Sequence, residues 1–195
     1  MGSSPSREAQ RAAARERARA TRKKQEDALA NLTPNTLQIA LYLRSDPPLQ
    51  NDFHWALYFH RQASGGTKYQ VENPYKVYMP NHGHTGGIFK ENFLCALIKI
   101  ASIPEDLHAT FDQIVRSRDG DLGSIPGVTC RVWLLEILRQ LSLRGIVHCD
   151  DVGILERECF DIGNRFSAAA AQNEQPRPVV DANLCIWDRH ATGGL

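Results

Sequence analysis

Residues 53–60, FHWALYFH, show the pattern of a β-strand with one buried face. The large apolar residues Trp55, Leu57 and Phe59 stand at alternate positions, which is the period of two that a half-buried strand requires. The loop HRQASGG and the segment TKYQVEN follow, so this part of the chain predicts a β-hairpin. We expect His60, at the start of the loop, to be solvated, whereas His54 inside the strand needs another explanation.

The chain between residues 35 and 171 divides into a strand-forming half and a helical half. TLQIALYLR, at residues 36–44, alternates like the first strand, and NFLCALIKI, at residues 92–100, is apolar enough for a buried strand. Later segments carry apolar residues at helical spacing, namely residues 103–117, 128–145 and 150–171. Strands followed by helices predict an α+β domain in which a mostly antiparallel sheet packs against about three helices.

Length and composition limit the organisation of the chain. A protein of 195 residues can bury one substantial core. The formal net charge of +1 excludes a general attraction of the whole molecule to polyanions. We therefore expect one α+β domain over residues 35–172, with a basic arm before it at residues 1–34 and an irregular tail after it at residues 173–195.

The amino-terminal arm is rich in alanine, arginine, lysine and glutamate, which are strong helix formers. Its apolar residues between Ser6 and Leu32 are nearly all alanine, too small to dock firmly on a core. The sequence therefore predicts a mobile, helix-prone arm.

This arm also suggests a partner. The start MGSSPS has Gly2 and Ser6 at the positions of an N-myristoylation signal. One acyl chain holds a bilayer weakly, but an acyl chain with a basic stretch holds an anionic surface, and the segment between Arg7 and Lys24 is basic. An anionic membrane surface is thus a candidate partner. Nucleic acid is less favoured because the arm has no aromatic residue to stack on bases.

Cysteine usage and hydropathy indicate the compartment. Five cysteines, odd in number and without a CxxC pair, are typical of a reduced setting. No apolar run reaches the roughly 18 residues that span a bilayer, and the amino terminus is charged where a signal peptide would be apolar. We expect a cytoplasmic protein, held at a membrane surface where Gly2 is acylated.

Cys130 stands where a helix is predicted to begin, directly after SIPGVT. A thiol at a helix start experiences the positive end of the helix dipole and unpaired backbone N–H groups, which lower its pKa and offer donors to an oxyanion. A nucleophilic cysteine also needs a base, and His54 lies on a strand of the sheet that should face this helix. The pair predicts a Cys-His site that needs no cofactor.

A third polar group would fix the tautomer of the histidine. If His60 and Thr67 flank the hairpin loop, Asn73 is opposite His54, and a slip of one residue puts Glu72 there instead. Gln70 is a weaker alternative. We predict Cys130, His54 and Asn73 as nucleophile, base and orienting residue.

The order of these elements resembles a known arrangement. HWALYF, a hairpin, and later a cysteine opening a helix in TCRVWLLEIL are similar to the circularly permuted papain-like proteins of the NlpC and lecithin retinol acyltransferase type. The chain is more similar still to a group of uncharacterised fungal proteins that share the HWAL, YxxxN and C-R-x-W elements. The resemblance implies a thiol-dependent hydrolase or acyltransferase acting on an amide, ester or thioester.

Two positions depart from that pattern. The acyltransferases have a second histidine on the partner strand, where this chain has QVEN, and an asparagine before the cysteine, where this chain has Thr129. The alternative function is a catalytically inactive binding or accessory protein on the same fold, or a membrane-surface adaptor acting through the basic arm. His82 and His84, in the loop NHGHTGG, are a weak alternative as metal ligands.

Overall fold

The computed structural model describes residues 6–149, 151–183 and 185, which leaves Gly2 of the acylation pattern outside the described residues. The strands are β1 Thr36–Leu43, β2 Phe53–Gln62, β3 Gly65–Tyr69, β4 Val71–Glu72, β5 Met79–Pro80, β6 Gly83–Thr85, β7 Leu94–Ser102 and β8 Val179–Asp181. The α-helices are α1 Arg7–Ala30, α2 His108–Val115, α3 Cys130–Leu143 and α4 Val152–Ala171.

A six-stranded sheet in the order β6-β3-β2-β1-β7-β8 forms the centre of the protein. Every pair in it is antiparallel except the edge pair β7–β8, which is parallel. The predicted α+β class with a mostly antiparallel sheet is therefore confirmed, with four α-helices in the described part of the chain. None of these helices is long and apolar enough to cross a membrane.

The two faces of the sheet bury different side chains. Alternate residues of β1 and β2, including Leu41 and Trp55, point into the main core against α3 and α4. Their neighbours, including Tyr42 and Tyr58, point into a second cluster on the other face. A strand buried on both faces reads as a nearly continuous apolar run, which explains the composition of TLQIALYL.

The second cluster is closed by the end of α1, and here the expectation of an undocked arm was wrong. Leu29 and Leu32 are both buried in this cluster. An ion pair between Glu26 Oε1 and Lys90 Nζ, 3.2 Å long, lies beside them. Leu29 in the last turn of the alanine-rich helix and Leu32 just after it thus dock its end on the sheet, while its first turns stay exposed.

The carboxyl-terminal segment is also more ordered than the predicted tail. Residues Val179–Asp181 form β8 and extend the sheet beside β7. Just before them, the buried Arg177 guanidinium donates to the carbonyl oxygens of Asn92, Ala169 and Glu174. These bonds fix the segment against α4, so the ordered domain continues at least to residue 181.

His60 is fully buried, which corrects the expectation that it is solvated. β2 extends to Gln62, so His60 lies within the paired strand opposite Gly66 and the hairpin turn is shorter than predicted. A Cβ atom at Gly66 would lie 2.0 Å from the Phe59 carbonyl oxygen, so only glycine permits this close approach. His60 is therefore a strand residue and not a loop residue.

Candidate active site

Cys130 is the first residue of α3, as the sequence predicts. Thr129 is the N-cap: its backbone is extended, and its side-chain hydroxyl accepts a hydrogen bond from the Val132 N–H at 3.1 Å. Threonine is a preferred N-cap because this bond satisfies an otherwise unpaired helix donor. The cap fixes where the helix starts and so places the Cys130 thiol at the positive end of α3.

His54 is the second residue of β2, the strand against which α3 packs. The imidazole and the Cys130 thiol interact with each other, and both line one open pocket. The two groups that sequence reasoning paired over 76 positions are therefore neighbours in the fold.

The pKa of the Cys130 thiol is lowered. Burial acts to raise it, but hydrogen bonding and charge interaction with His54 outweigh burial, aided by the backbone N–H groups of Trp55 and Arg131. For His54, burial acts to lower the pKa, whereas interactions with Cys130, Gln70 and Glu72 raise it. Both shifts favour a thiolate beside an imidazolium.

Gln70 holds the imidazole. His54 Nε2 lies 2.9 Å from Gln70 Oε1, and Gln70 Nε2 donates to Glu72 Oε1 at 2.7 Å. A carboxylate only accepts, so the amide nitrogen of Gln70 must face Glu72 and its oxygen must face His54. His54 Nε2 is therefore the protonated nitrogen, and Nδ1 is left as the base for the thiol.

A further bond holds this chain of contacts in place. Asn81 Nδ2 donates to the second oxygen of Glu72 at 2.8 Å, so both carboxylate oxygens are engaged. The path Asn81–Glu72–Gln70–His54 runs without a break to the pocket that Cys130 lines. Each amide has its orientation fixed by its neighbour, which limits rotation of the imidazole.

The predicted orienting residue, Asn73, lines the pocket, but the side chain that accepts the hydrogen bond of His54 Nε2 is Gln70. The hairpin pairs His60 with Gly66, one residue away from the assumed pairing with Thr67. β3 then ends at Tyr69, and the next strand pairs with β5 and not with β2. The strand thus leaves β2 before reaching His54, and the long Gln70 side chain spans the gap.

His82 holds the backbone of Gln70 in place, a role that the sequence did not reveal. Its buried ring accepts the Gln70 backbone N–H at Nδ1, 3.1 Å away, and its Nε2 lies 3.0 Å from Asp119 Oδ1. The ring stacks on Trp133 of α3 at a centroid distance of 5.8 Å. His82 thereby ties the Gln70 backbone to the helix that begins with Cys130.

The weak metal alternative finds no support in this geometry. His82 has both ring nitrogens engaged, and His84 is exposed on β6. Within residues 6–149, 151–183 and 185, no three histidine, cysteine, aspartate or glutamate side chains are grouped to hold a metal ion.

The pocket at the site has a volume of about 250 Å³ and opens to solvent. Its lining combines the two reactive candidates with polar, charged and apolar side chains: Arg44, His54, Val71, Glu72, Asn73, Tyr78 and Cys130. The adjacent tryptophans are packing residues, since Trp55 and Trp133 are both buried in the main core. A small polar group can reach the thiol from outside.

Comparisons with known proteins add no identity to this geometry. No protein-family model matches the chain, and no match was found among curated protein sequences or solved structures.

Proposed function

We propose that the protein is a thiol-dependent hydrolase or acyltransferase acting on an amide, ester or thioester through Cys130 and His54. The observation that carries the proposal is a thiol of lowered pKa beside a histidine whose far nitrogen is fixed by Gln70, in an open pocket. A thiol that ionises more readily than an ordinary cysteine and an oriented base are what nucleophilic acyl chemistry needs. This supports an active site over the inactive binding protein, which would not require the lowered pKa.

In the first half of the reaction, Nδ1 of His54 takes the proton of Cys130, and the sulfur bonds to the substrate carbonyl carbon. The carbonyl π electrons move to the oxygen. When this oxyanion collapses, the bond to the leaving amine, alcohol or thiol breaks, and the imidazolium returns its proton to that group. The product of this half is a thioester on Cys130.

In the second half, His54 deprotonates water or another acceptor, which attacks the thioester carbonyl. The sulfur leaves, the acid or the transferred acyl product departs, and the imidazolium reprotonates the thiolate. Throughout, Gln70 Oε1 accepts from the Nε2 proton and so keeps Nδ1 directed at the sulfur.

Backbone donors are available for the oxyanion. The N–H groups of Trp55 and Arg131 both act on the Cys130 thiol and lower its pKa, so they are the candidate donors to an oxyanion that forms beside the sulfur. They serve in place of the side-chain asparagine that the resembling acyltransferases have before the cysteine, where this chain has Thr129. The permuted papain-like arrangement, with histidine before cysteine, belongs to the same proposal.

Competition labelling tests the proposal. The full chain is treated with limiting iodoacetamide between about pH 5 and about pH 9, and each of the five cysteines is followed by peptide mass spectrometry. We expect Cys130 to be modified first at and below about pH 7, and Cys130→Ser to remove that fast phase. Modification of Cys130 no faster than of the other four thiols overturns the proposal.

Turnover is then tested with p-nitrophenyl esters, thioesters and peptide amides. We expect Cys130→Ser to abolish release of product from whichever class reacts, because the pKa of Cys130 is lowered whereas those of Cys95, Cys159 and Cys185 are raised. Cys95→Ser is the matched control, since it removes a buried thiol on β7 that does not line the pocket. Equal loss in both variants would point to folding and not to catalysis.

A second candidate, an adaptor at an anionic membrane surface, is favoured by one observation on α1. Basic side chains recur every four residues on the exposed part of the helix and so lie next to one another along a gently winding stripe. They are Arg7, Arg11, Arg15, Arg19 and Lys23. We expect the full chain to bind phosphatidylserine vesicles and to dissociate as salt rises from roughly 20 to 200 mM.

Substitution to glutamine of the first four of these cations, all on the exposed stripe, should abolish that binding. Truncation of the whole arm is unsuitable, because it would remove Leu29 and Leu32 from the core. Equal binding to neutral phosphatidylcholine vesicles, or by the substituted chain, would count against the adaptor.

A further inference from the structure

Two charged side chains, Glu72 and Arg44, line the pocket at Cys130, and they differ in the hydrogen bonds that they make. Glu72 accepts hydrogen bonds on both oxygens, from Gln70 Nε2 and from Asn81 Nδ2. Each of its oxygens thus holds one side-chain amide in place. The other charged group is Arg44.

The backbone next to Arg44 is held in the sheet, whereas its guanidinium is exposed. It follows directly on β1, whose last residue, Leu43, donates its N–H to the Phe93 carbonyl at 2.9 Å. The side chain is 60% exposed, and its contact with Asp52 is 3.6 Å between Nη1 and Oδ1, beyond hydrogen-bond length. The guanidinium therefore keeps donors for a ligand in the pocket.

We propose that Arg44 determines specificity, binding a carboxylate of the substrate close to the carbonyl that Cys130 attacks. A guanidinium binds a carboxylate through two parallel hydrogen bonds, which orients the ligand as well as attracting it. The pocket of about 250 Å³ is small, so the carboxylate and the reacting carbonyl lie within one small acyl or amino-acid-sized group. This inference rests on the proposed function, because it concerns the substrate of the same thiol.

The substrate class is thus an acyl compound carrying a carboxylate. The carboxylate has two sources that share this chemistry. It lies on the acyl side, as in a succinyl ester or thioester, or on the leaving side, as at the carboxyl terminus of a short peptide.

A pair of alkylating agents tests the role of Arg44 without knowledge of the substrate. Iodoacetate and iodoacetamide both form a sulfur–CH2 bond at Cys130 and expel iodide, but only iodoacetate carries a carboxylate. We measure both rates at Cys130 in low salt, in the unaltered chain and in Arg44→Gln. We expect the ratio of the iodoacetate rate to the iodoacetamide rate to fall roughly fivefold in the variant, the scale of one solvent-exposed ion pair.

Two further variants sharpen this measurement. Arg44→Lys keeps the charge but loses the paired donors, so it should restore only part of the ratio. Arg165→Gln removes an arginine of α4 that does not line the pocket, and it should leave the ratio unchanged. The iodoacetamide rate is the reference that corrects the ratio for any change in the reactivity of the thiol, and Arg165→Gln should leave this rate within about twofold.

The outcomes separate this inference from the proposed function. If Cys130 reacts fast with iodoacetamide but Arg44→Gln leaves the ratio unchanged, the role of Arg44 is overturned and the nucleophile stands. If Cys130 reacts slowly with both agents, the proposed function itself fails.

Substrate pairs then identify the source of the carboxylate. p-Nitrophenyl succinate is compared with the uncharged pentanoate, and a short peptide with a free carboxyl terminus with its amidated form. We expect the charged member of one pair to have the lower KM, and Arg44→Gln to raise that KM with little change in kcat. No preference in either pair overturns the proposed substrate class.

Discussion

Cys130 and Cys159 are both buried cysteines in helices, yet their environments drive their pKa values in opposite directions. Cys130 is 8% exposed and Cys159 is fully buried. Burial raises the pKa of Cys159 well above its ordinary value, and the nearby Glu158 and Cys149 raise it further. At Cys130, His54 and two backbone N–H groups reverse the effect of burial. Interaction partners, more than exposure, decide the direction in which the pKa of each thiol moves.

The same contrast extends to Cys95 and Cys185. Burial raises the pKa of Cys95 to about 11. Cys185 lies opposite Cys149 in an isolated antiparallel bridge, and its pKa is raised by hydrogen bonding with that thiol, by burial and by the surrounding negative groups. Neither has a histidine acting on it. Their region, between α4 and the carboxyl-terminal segment, gives an internal standard for ordinary buried thiols.

Removal of His54 should have the largest effect on this comparison. His54→Ala deletes the main interaction that lowers the pKa of Cys130, so its labelling profile should move to higher pH, toward the standard thiols. At about pH 6 we expect the iodoacetamide rate at Cys130 to fall about tenfold or more, because one pKa unit changes the thiolate fraction tenfold. Peptide mass spectrometry over a pH series measures the shift.

His84→Ala is the matched control, because His84 is an exposed histidine on β6 that does not line the pocket. It should leave the Cys130 profile in place. A His54→Ala profile that coincides with that of the unaltered chain would show that the helix start alone activates the thiol.

Gln70 and Asn73 offer the next test, since the structure and the sequence favour different orienting residues. Gln70→Ala removes the acceptor at His54 Nε2, and we expect a fall of about three- to tenfold in the Cys130 labelling rate near neutral pH, the scale of one lost hydrogen bond. Asn73→Ala should change it less than about twofold. The reverse order of effects would restore Asn73 as the orienting residue.

The difference between Gln70 and Asn73 shows which parts of the site can be predicted from the sequence. The alternation in FHWALYFH and the threonine before Cys130 are local signals, and local signals predicted the strand, the helix start and the Cys-His pair. Gln70 depends on where β3 leaves β2, which tertiary pairing decides. The assumed register was wrong by one residue, which alone would exchange Asn73 for Glu72. The early end of β3 at Tyr69 then leaves the contact with His54 to Gln70.

Other features were missed for similar reasons. The docking of α1 depends on two leucines at its end and on a matching cluster on the far face of the sheet, which no periodicity within the arm reports. His82 carries no local signal for its bonds to Gln70 and Asp119, because both partners are distant in the chain. Contacts between remote segments decide these positions.

A substitution at Cys159, away from the pocket, should have a smaller effect on the protein. Cys159→Ser places a hydroxyl in a fully buried apolar site, and we expect a loss of about 1–3 kcal/mol in the free energy of unfolding. The Cys130 labelling profile should stay unchanged, because Cys159 does not line the pocket. Urea denaturation measures the first quantity, and a displaced Cys130 profile would show that the two regions are coupled.

The two histidines of β2, His54 and His60, also have pKa values that are shifted in opposite directions. His54 has a raised pKa, whereas burial lowers the pKa of His60, whose Nε2 has no hydrogen-bond partner in the described part of the chain. For His60, the stability that depends on its neutral form is complete above the pKa of histidine in the unfolded chain, and is lost as the pH falls toward the lower folded value. His60→Gln, which cannot be protonated, should therefore flatten the decline in the free energy of unfolding between about pH 7 and about pH 5. Urea denaturation across this range measures the slope, and an equally steep decline in the variant would mean that other groups cause it.

The contribution of His54 to stability depends on pH in the opposite direction. Because the pKa of His54 is raised, its contribution is complete below the pKa of histidine in the unfolded chain and disappears as the pH rises through the pKa in the folded chain. One strand thus carries a histidine that folding prefers neutral and another that it prefers charged. Burial acts on both rings, but only at His54 do interactions with Cys130, Gln70 and Glu72 outweigh it.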